Sequence, residues 1–223
     1  MRRAWAAPAY VLSNSVEIGY REYLFGFSEI LYYYRTNKNL PLTYVFDSSV
    51  FYSQLIKEVY YKNGINEKNN EKDVSKYITR ENSKCKIDNN IKKKAKELTK
   101  DKSTDLQKAN AIFNFVKNRI AYENYYDSKK GASKTLISEK GNCCDQSNLI
   151  VALCRASKIP VRYAHGQCRF NSGNVYGHVW TQILLDNVWY AADPTSKDNS
   201  LGFIRNWNYK TFSNLNIYDL LQF

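Results

Sequence analysis

Three residues of this chain have the types and the order that thiol chemistry needs: Cys143, His178 and Asp193. A thiol attacks as its thiolate, and a free cysteine titrates near about 8.5, so an enzyme must lower that value. Cys143 is placed for this. It follows Asn142, a helix-capping residue type, and precedes Leu149, Ile150, Leu153 and Cys154, which fall at helical spacing. The first turn of such a helix offers N–H groups and a positive dipole end to an anion. The buried stripe holds the sulfur in one place, as catalysis requires. A base must follow, and the chain has two histidines. His178 lies in Gly177-His178-Val179-Trp180, and Asp193 ends Trp189-Tyr190-Ala191-Ala192-Asp193. A carboxylate beside an imidazole fixes its tautomer and steadies its charge. His165 is the rival base, Cys144 the rival thiol and Asp186 a weaker rival acid.

The elements that must hold these groups can be read from periodicity. The alternation predicts strands at Val161–Cys168, Tyr176–Leu185 and Val188–Ala192, with Asp186-Asn187 as a tight hairpin turn. That hairpin brings the His178 and Asp193 strands side by side. The thiol helix runs from Cys143 to about Ser157-Lys158. Another helix is predicted over 103–120, capped by Ser103 or Thr104, with Leu106, Ala109, Ile112, Phe113, Val116 and Ile120 on one face. Residues 88–99 also look helical, and 122–134 read as a polar connection. The C-terminal half is therefore α+β: helices followed by an antiparallel meander. Upstream, 16–36 and 48–61 read as helices around Leu40-Pro41 and a short extended piece at 42–46. Between the halves, 63–88 is a charged, Asn-rich linker composition.

Each piece alone has a bland reading: a buried small cysteine, a structural strand histidine, an Asp-Pro-Thr turn. The ordered set is more specific. Gly141-Asn142-Cys143-Cys144-Asp145-Gln146, Ile159-Pro160-Val161-Arg162-Tyr163, Gly177-His178-Val179-Trp180 and Trp189-Tyr190-x-x-Asp193-Pro194-Thr195 resemble the transglutaminase-like (papain-like) thiol superfamily over roughly 105–210. Lys158 stands where that pattern has glycine, and Val161 where it has alanine. The resemblance implies a catalytic set of Cys143, His178 and Asp193, with Cys143 preferred over Cys144. His165, Trp180 and Tyr190 are candidate substrate-binding residues. The oxyanion needs donors; the Cys143 N–H is one, and the sequence does not identify a side-chain partner.

Residues 142–146, Ala164-His165-Gly166-Gln167-Cys168 and Gly202-Phe203-Ile204-Arg205-Asn206-Trp207-Asn208 further resemble the pseudomurein endoisopeptidases of methanogenic archaea and their viruses. Asn39-Leu40-Pro41-Leu42-Thr43-Tyr44-Val45 resembles the pseudomurein-binding repeats of that group. This implies a small, mainly helical wall-binding module at 14–62, a linker at 63–88 and a peptidase domain at 89–223. It also implies cleavage of the Ala–Lys isopeptide bond of wall cross-links, with the pseudomurein polymer as partner. A transglutaminase-type acyl transferase and a non-catalytic wall-binding protein are the alternatives.

Composition narrows the rest. Residues 62–102 hold 13 Lys/Arg against 7 Asp/Glu, half of the chain's net +12. No nucleic-acid reader motif accompanies this charge, so nucleic acid is not an expected partner. Five clustered cysteines are neither a disulfide framework nor a zinc pattern. No run of apolar residues is long enough to span a membrane. The start, Met1-Arg2-Arg3 then AWAAPAYVL, only faintly resembles a signal peptide because Pro8 interrupts it. The chain is thus expected in the cytoplasm until lysis, with no cofactor required, no calcium loop and no obligate protein partner.

Overall fold

The computed structural model describes residues 65–223 in full, together with the backbone of 10–13 and 16–19. The chain divides into two compact units, Met1–Tyr52 and Ser53–Phe223. In the first, Tyr10–Ser13 (β1) and Val16–Gly19 (β2) pair antiparallel, from Tyr10↔Gly19 to Ser13↔Val16. The helix expected over 16–36 therefore does not begin at Val16. Val16 and Ile18 alternate with Glu17 and Gly19, a period of two that suits a strand. The remainder of that helix, the stretch 39–45 and the helix at 48–61 lie outside the described residues.

The second unit runs β3 (Glu67–Lys68), α1 (Lys76–Thr79), α2 (Asn89–Thr99), α3 (Asp105–Arg119), β4 (Ala121–Tyr122), α4 (Gly131–Ser138), β5 (Lys140–Gly141), α5 (Cys143–Ala156), β6 (Val161–Arg169), β7 (Val175–Leu185), β8 (Val188–Ala192) and β9 (Ser213–Tyr218). Local chemistry starts each main helix. Asp88 accepts from the Ile91 N–H at 3.0 Å and caps α2. Thr104 and Gln107 form a reciprocal capping box on α3. Asn142 accepts from the Asp145 N–H at 3.0 Å and caps α5. α5 is buried on all sides from Cys144 to Arg155, so it forms the centre of the domain rather than one wall. Lys158, just past its end, has φ +63°, a left-handed conformation that glycine, the residue of the resembled pattern at this position, adopts without strain.

β6, β7 and β8 form the predicted meander inside a five-stranded sheet of order β3-β8-β7-β6-β9. Asp186 and Asn187 both have positive φ, the primed turn that a two-residue hairpin needs. The sheet's outer layer is an aromatic cluster in which Trp180 and Trp207 pack with Ala164, Cys168, Ala191 and Ile204.

The linker expected at 63–88 is corrected: from Ile65 onward it belongs to the domain. β3 pairs with β8, Asn66 accepts from the Ala191 N–H at 2.9 Å, and buried Tyr77 meets Trp189 edge-on at 5.1 Å. Arg155, itself buried, bolts this segment down. It donates to the carbonyls of Tyr77 (3.0 Å), Val161 (3.1 Å), Asp219 (2.6 Å) and Arg80. Four carbonyls and the negative end of α5 meet its charge. The polar composition misled because the few anchors, Ile65, Tyr77 and Cys85, lie between many exposed charges. The connection read at 122–134 likewise contains the start of α4. Gly131 opens that helix at φ +68°, where a Cβ would lie 2.8 Å from the Lys84 carbonyl.

Candidate active site

Cys143 is the first residue of α5 and is partly exposed, while Cys144 is buried beside it. The helix end meets β7 where β8 stops. β8 pairs with β7 only from Leu185↔Val188 to Thr181↔Ala192, so β7 continues alone past Thr181 on that edge. Here the Val179 N–H and the His178 side chain both hydrogen-bond the Cys143 sulfur.

The sequence placed His178 and Asp193 side by side on a hairpin. The structure brings them together differently. Asp193 lies one residue beyond the last paired residue of β8, and its carboxylate reaches back along β7. His178 Nε2 lies 2.9 Å from Asp193 Oδ2. With Nε2 committed to the carboxylate, Nδ1 is the nitrogen left for the thiol. Asp193 is fully buried and has further donors: Trp207 Nε1 to Oδ2 at 2.8 Å, and the Thr195 N–H and hydroxyl to Oδ1 at 3.0 and 2.7 Å. Phe170 meets the His178 ring edge-on at 5.2 Å, and Trp180 stacks on it at 6.2 Å.

The electrostatics follow from these contacts. A hydrogen bond from the Cys144 thiol lowers the Cys143 pKa most; burial opposes it, and the His178 bond and charge reinforce it, leaving Cys143 well below the usual thiol range. Cys144 is pushed the other way by that bond and by burial, so it stays a thiol. Burial disfavours the His178 charge, but Asp193 and the Cys143 sulfur outweigh it and raise His178 to about 10. Burial likewise opposes the Asp193 charge, and His178, Thr195 and Trp207 more than offset it, so Asp193 stays ionised. Both shifts favour a thiolate–imidazolium pair.

A pH dependence follows. The pair exists above the depressed Cys143 value and below about 10, where His178 loses its proton. A pH profile of kcat/KM should therefore hold a plateau through neutrality and fall on an alkaline limb near 10. A single rise near the free-thiol value of about 8.5 would contradict the pair. Stability has the same sign for His178. Its raised value contributes fully below 6.5, and the contribution is lost as pH climbs towards about 10.

Of the three candidate substrate-binding residues, two are corrected. Trp180 is 1% exposed and packs behind His178. Tyr190 is also 1% exposed and pairs with Ile183, whose side chain points to the sheet face opposite His178. Neither offers a surface to a ligand, because each is covered by its neighbours. His165 is half-buried, with Phe223 packed against its ring at 5.1 Å, and burial lowers its pKa.

Several residues around the site escaped the sequence reading. Tyr122 is one: the parallel bridge Tyr122↔Gly141 sets it beside the start of α5, where its phenol interacts with the Cys143 sulfur. Partial burial, then the negative charges of Cys143 and Asp193, raise the phenol to about 12, so it stays protonated. Asp145 is another. It is fully buried and accepts from the Tyr125 and Ser128 hydroxyls (2.5 and 2.6 Å) and the N–H groups of Gly131, Lys130 and Lys129 (2.8, 3.0 and 3.2 Å). Asn142 adds bonds to the carbonyls of Tyr125 and Asp127 at 2.9 and 2.8 Å. These bonds clamp the 125–131 loop onto the first turn of α5. Trp207, Asn142 and Asp145 stand inside the sequence motifs, but their contacts do not show there; Tyr122 carries no signal at all. Among the described residues no group of three or more His, Cys, Asp or Glu could hold a metal, and no helix is long and apolar enough to cross a membrane.

Comparisons with known proteins show what this chain is similar to. Residues 92–194 match the model of the Transglutaminase-like superfamily. A candidate cysteine protease from Cytophaga hutchinsonii is similar in structure, at 21% identity and a TM-score of 0.50, over 66% of this chain and 55% of that one. The periplasmic domain of TgpA from Pseudomonas aeruginosa gives 18% identity and a TM-score of 0.45, over 55% and 48%. A structure described as a TGase gives 18% and 0.39, over 75% and 44%. The chain thus spans about half the length of these solved structures. No curated protein matches it.

Proposed function

We propose that this chain, whose C-terminal unit is a transglutaminase-like domain, is a cysteine endoisopeptidase that opens the Ala–Lys cross-links of pseudomurein. The observation that carries the chemistry is the continuous chain of contacts from Cys143 through His178 to Asp193 at a helix N-terminus. The substrate rests on the sequence motifs at 142–146, 164–168 and 202–208, and on the repeat-like stretch at 39–45.

In this reading the Cys143 thiolate attacks the alanyl carbonyl, and the negative oxygen is met by the Cys143 N–H and the Tyr122 hydroxyl. His178 gives its Nδ1 proton to the departing lysine amine, which leaves a thioester on Cys143. Water then attacks the thioester and yields its proton to His178. The acid is released, and the thiolate–imidazolium pair returns. Asp193 stays ionised throughout and holds the ring.

Tyr122→Phe should keep the fold and lower kcat on the order of 100-fold with little change in KM, since a single oxyanion donor is lost. A loss confined to KM would remove Tyr122 from that role. The substrate is tested by adding the reduced protein to pseudomurein-walled cells. Loss of turbidity, with lysine ε-amines freed in the products, is expected. Unchanged turbidity with folded protein would sink the substrate assignment. Product masses with and without an added amine separate hydrolysis from acyl transfer, in which the amine replaces water.

A further inference from the structure

One stretch of strand beside the thiol has unused main-chain groups. In β7 the even-numbered residues bond to β6, a pattern continued by the Leu184 N–H to Pro160 O bond (2.9 Å) and the Phe170 N–H to Asn174 O bond (2.8 Å) at either end. The odd-numbered residues therefore point to the other edge. Thr181, Ile183 and Leu185 meet β8 there. Val179 uses its N–H on the Cys143 sulfur and its carbonyl on the Ser147 hydroxyl at 3.4 Å. Gly177 and Val175 come next on the same edge. Among the described residues nothing pairs with their N–H and C=O groups, and residues 171–177 are all exposed.

An open strand edge takes a further strand through main-chain hydrogen bonds. This edge is continuous with the thiol: Val179, bonded to Cys143, is preceded by two and four residues by the two free positions. A main chain paired with them would bring its next carbonyl to the sulfur. A Cβ at Gly177 would meet only the His165 and Gln167 side chains of β6, at ordinary contacts of 3.5 Å.

We propose that the Val175–Gly177 edge of β7 binds the acyl-side main chain of a peptide substrate as an added antiparallel or parallel strand. This rests on the reading of Cys143 as nucleophile towards a peptide carbonyl, and not on the source of the wall. The ligand class is an extended peptide of at least two residues before the scissile carbonyl, recognised by backbone rather than by charge.

The test uses the full chain and peptidyl chloromethyl ketones of one, two and three residues, with alkylation of Cys143 followed by intact mass. The second and third residues should raise the alkylation rate at least tenfold. N-methylation of the amides that pair with the edge should erase that gain in the wild-type protein. Gly177→Pro removes the outward N–H without removing a bond to β6. It should flatten the length dependence, so that within this variant the two- and three-residue probes react no faster than the one-residue probe. A rate independent of length and of N-methylation overturns the edge, even if cell walls are digested. Length dependence without wall digestion leaves the edge standing and fails the substrate assignment instead.

Discussion

Cys143→Ala should abolish turnover, by on the order of 10⁴-fold or more, while Cys144→Ala keeps most of it. The adjacent thiols separate physically. Cys143 is partly exposed and bonded to His178 and Val179; Cys144 is buried and held protonated. Removing the nucleophile leaves only binding and oxyanion donors, hence the size of the loss. Removing Cys144 takes one hydrogen bond from the thiolate, a contribution of about 1.5–3 kcal/mol for a bond to a charged group. The acid limb of the profile should then move up by about one to two pH units. Activity at pH 7 should stay within about tenfold of wild type, because the limb begins well below neutrality. Steady-state rates over a pH series on both variants check this. A dead Cys144→Ala and an active Cys143→Ala would exchange their roles.

Asp193→Ala should be the most damaging change outside the nucleophile, in stability as well as rate. The fully buried carboxylate accepts from buried His178 and Trp207 and from half-buried Thr195. Without it, two buried donors lose their acceptor and the imidazolium loses its counter-charge. Breaking a buried pair from one side costs about 3–5 kcal/mol, read as a lower denaturation midpoint. Asp193→Asn isolates the catalytic part. The amide preserves the shape but favours the wrong imidazole tautomer, and a loss of roughly 10⁴-fold in kcat is expected with a smaller drop in stability. Equal stability losses in both variants, with rates near wild type, would make Asp193 purely structural.

The comparison of sequence with structure shows where local signals suffice. The caps at Asp88, Thr104 and Asn142 and the Asp186-Asn187 turn are short-range chemistry, and α2, α3, α5 and the β7–β8 hairpin follow them closely. Elements that depend on distant partners were illegible. β3 exists because β8 offers it an edge, β4 and β5 are two-residue pieces, and β9 joins the sheet after a long tail. Within the site, Cys143, His178 and Asp193 stood out because their residue types bear chemistry. Tyr122 did not, because only the Tyr122↔Gly141 bridge brings a phenol 21 positions upstream to the sulfur. Asp145 was quoted in a motif, yet its five donors come from a loop with no pattern of its own. Trp180 and Tyr190 failed in the opposite direction: a strand period gives the face, but not whether that face is covered.

The central claim is that Cys143 becomes acylated by a peptide carbonyl. Rapid quench of the enzyme with an alanyl-ε-lysine isopeptide substrate, followed by peptide mass mapping, tests it most directly. The expected result is a transient acyl mass on the peptide containing Cys143, absent in Cys143→Ala and accumulating when water attack is slowed. Isopeptide cleavage with no acyl mass, or with the mass on Cys144, would contradict it.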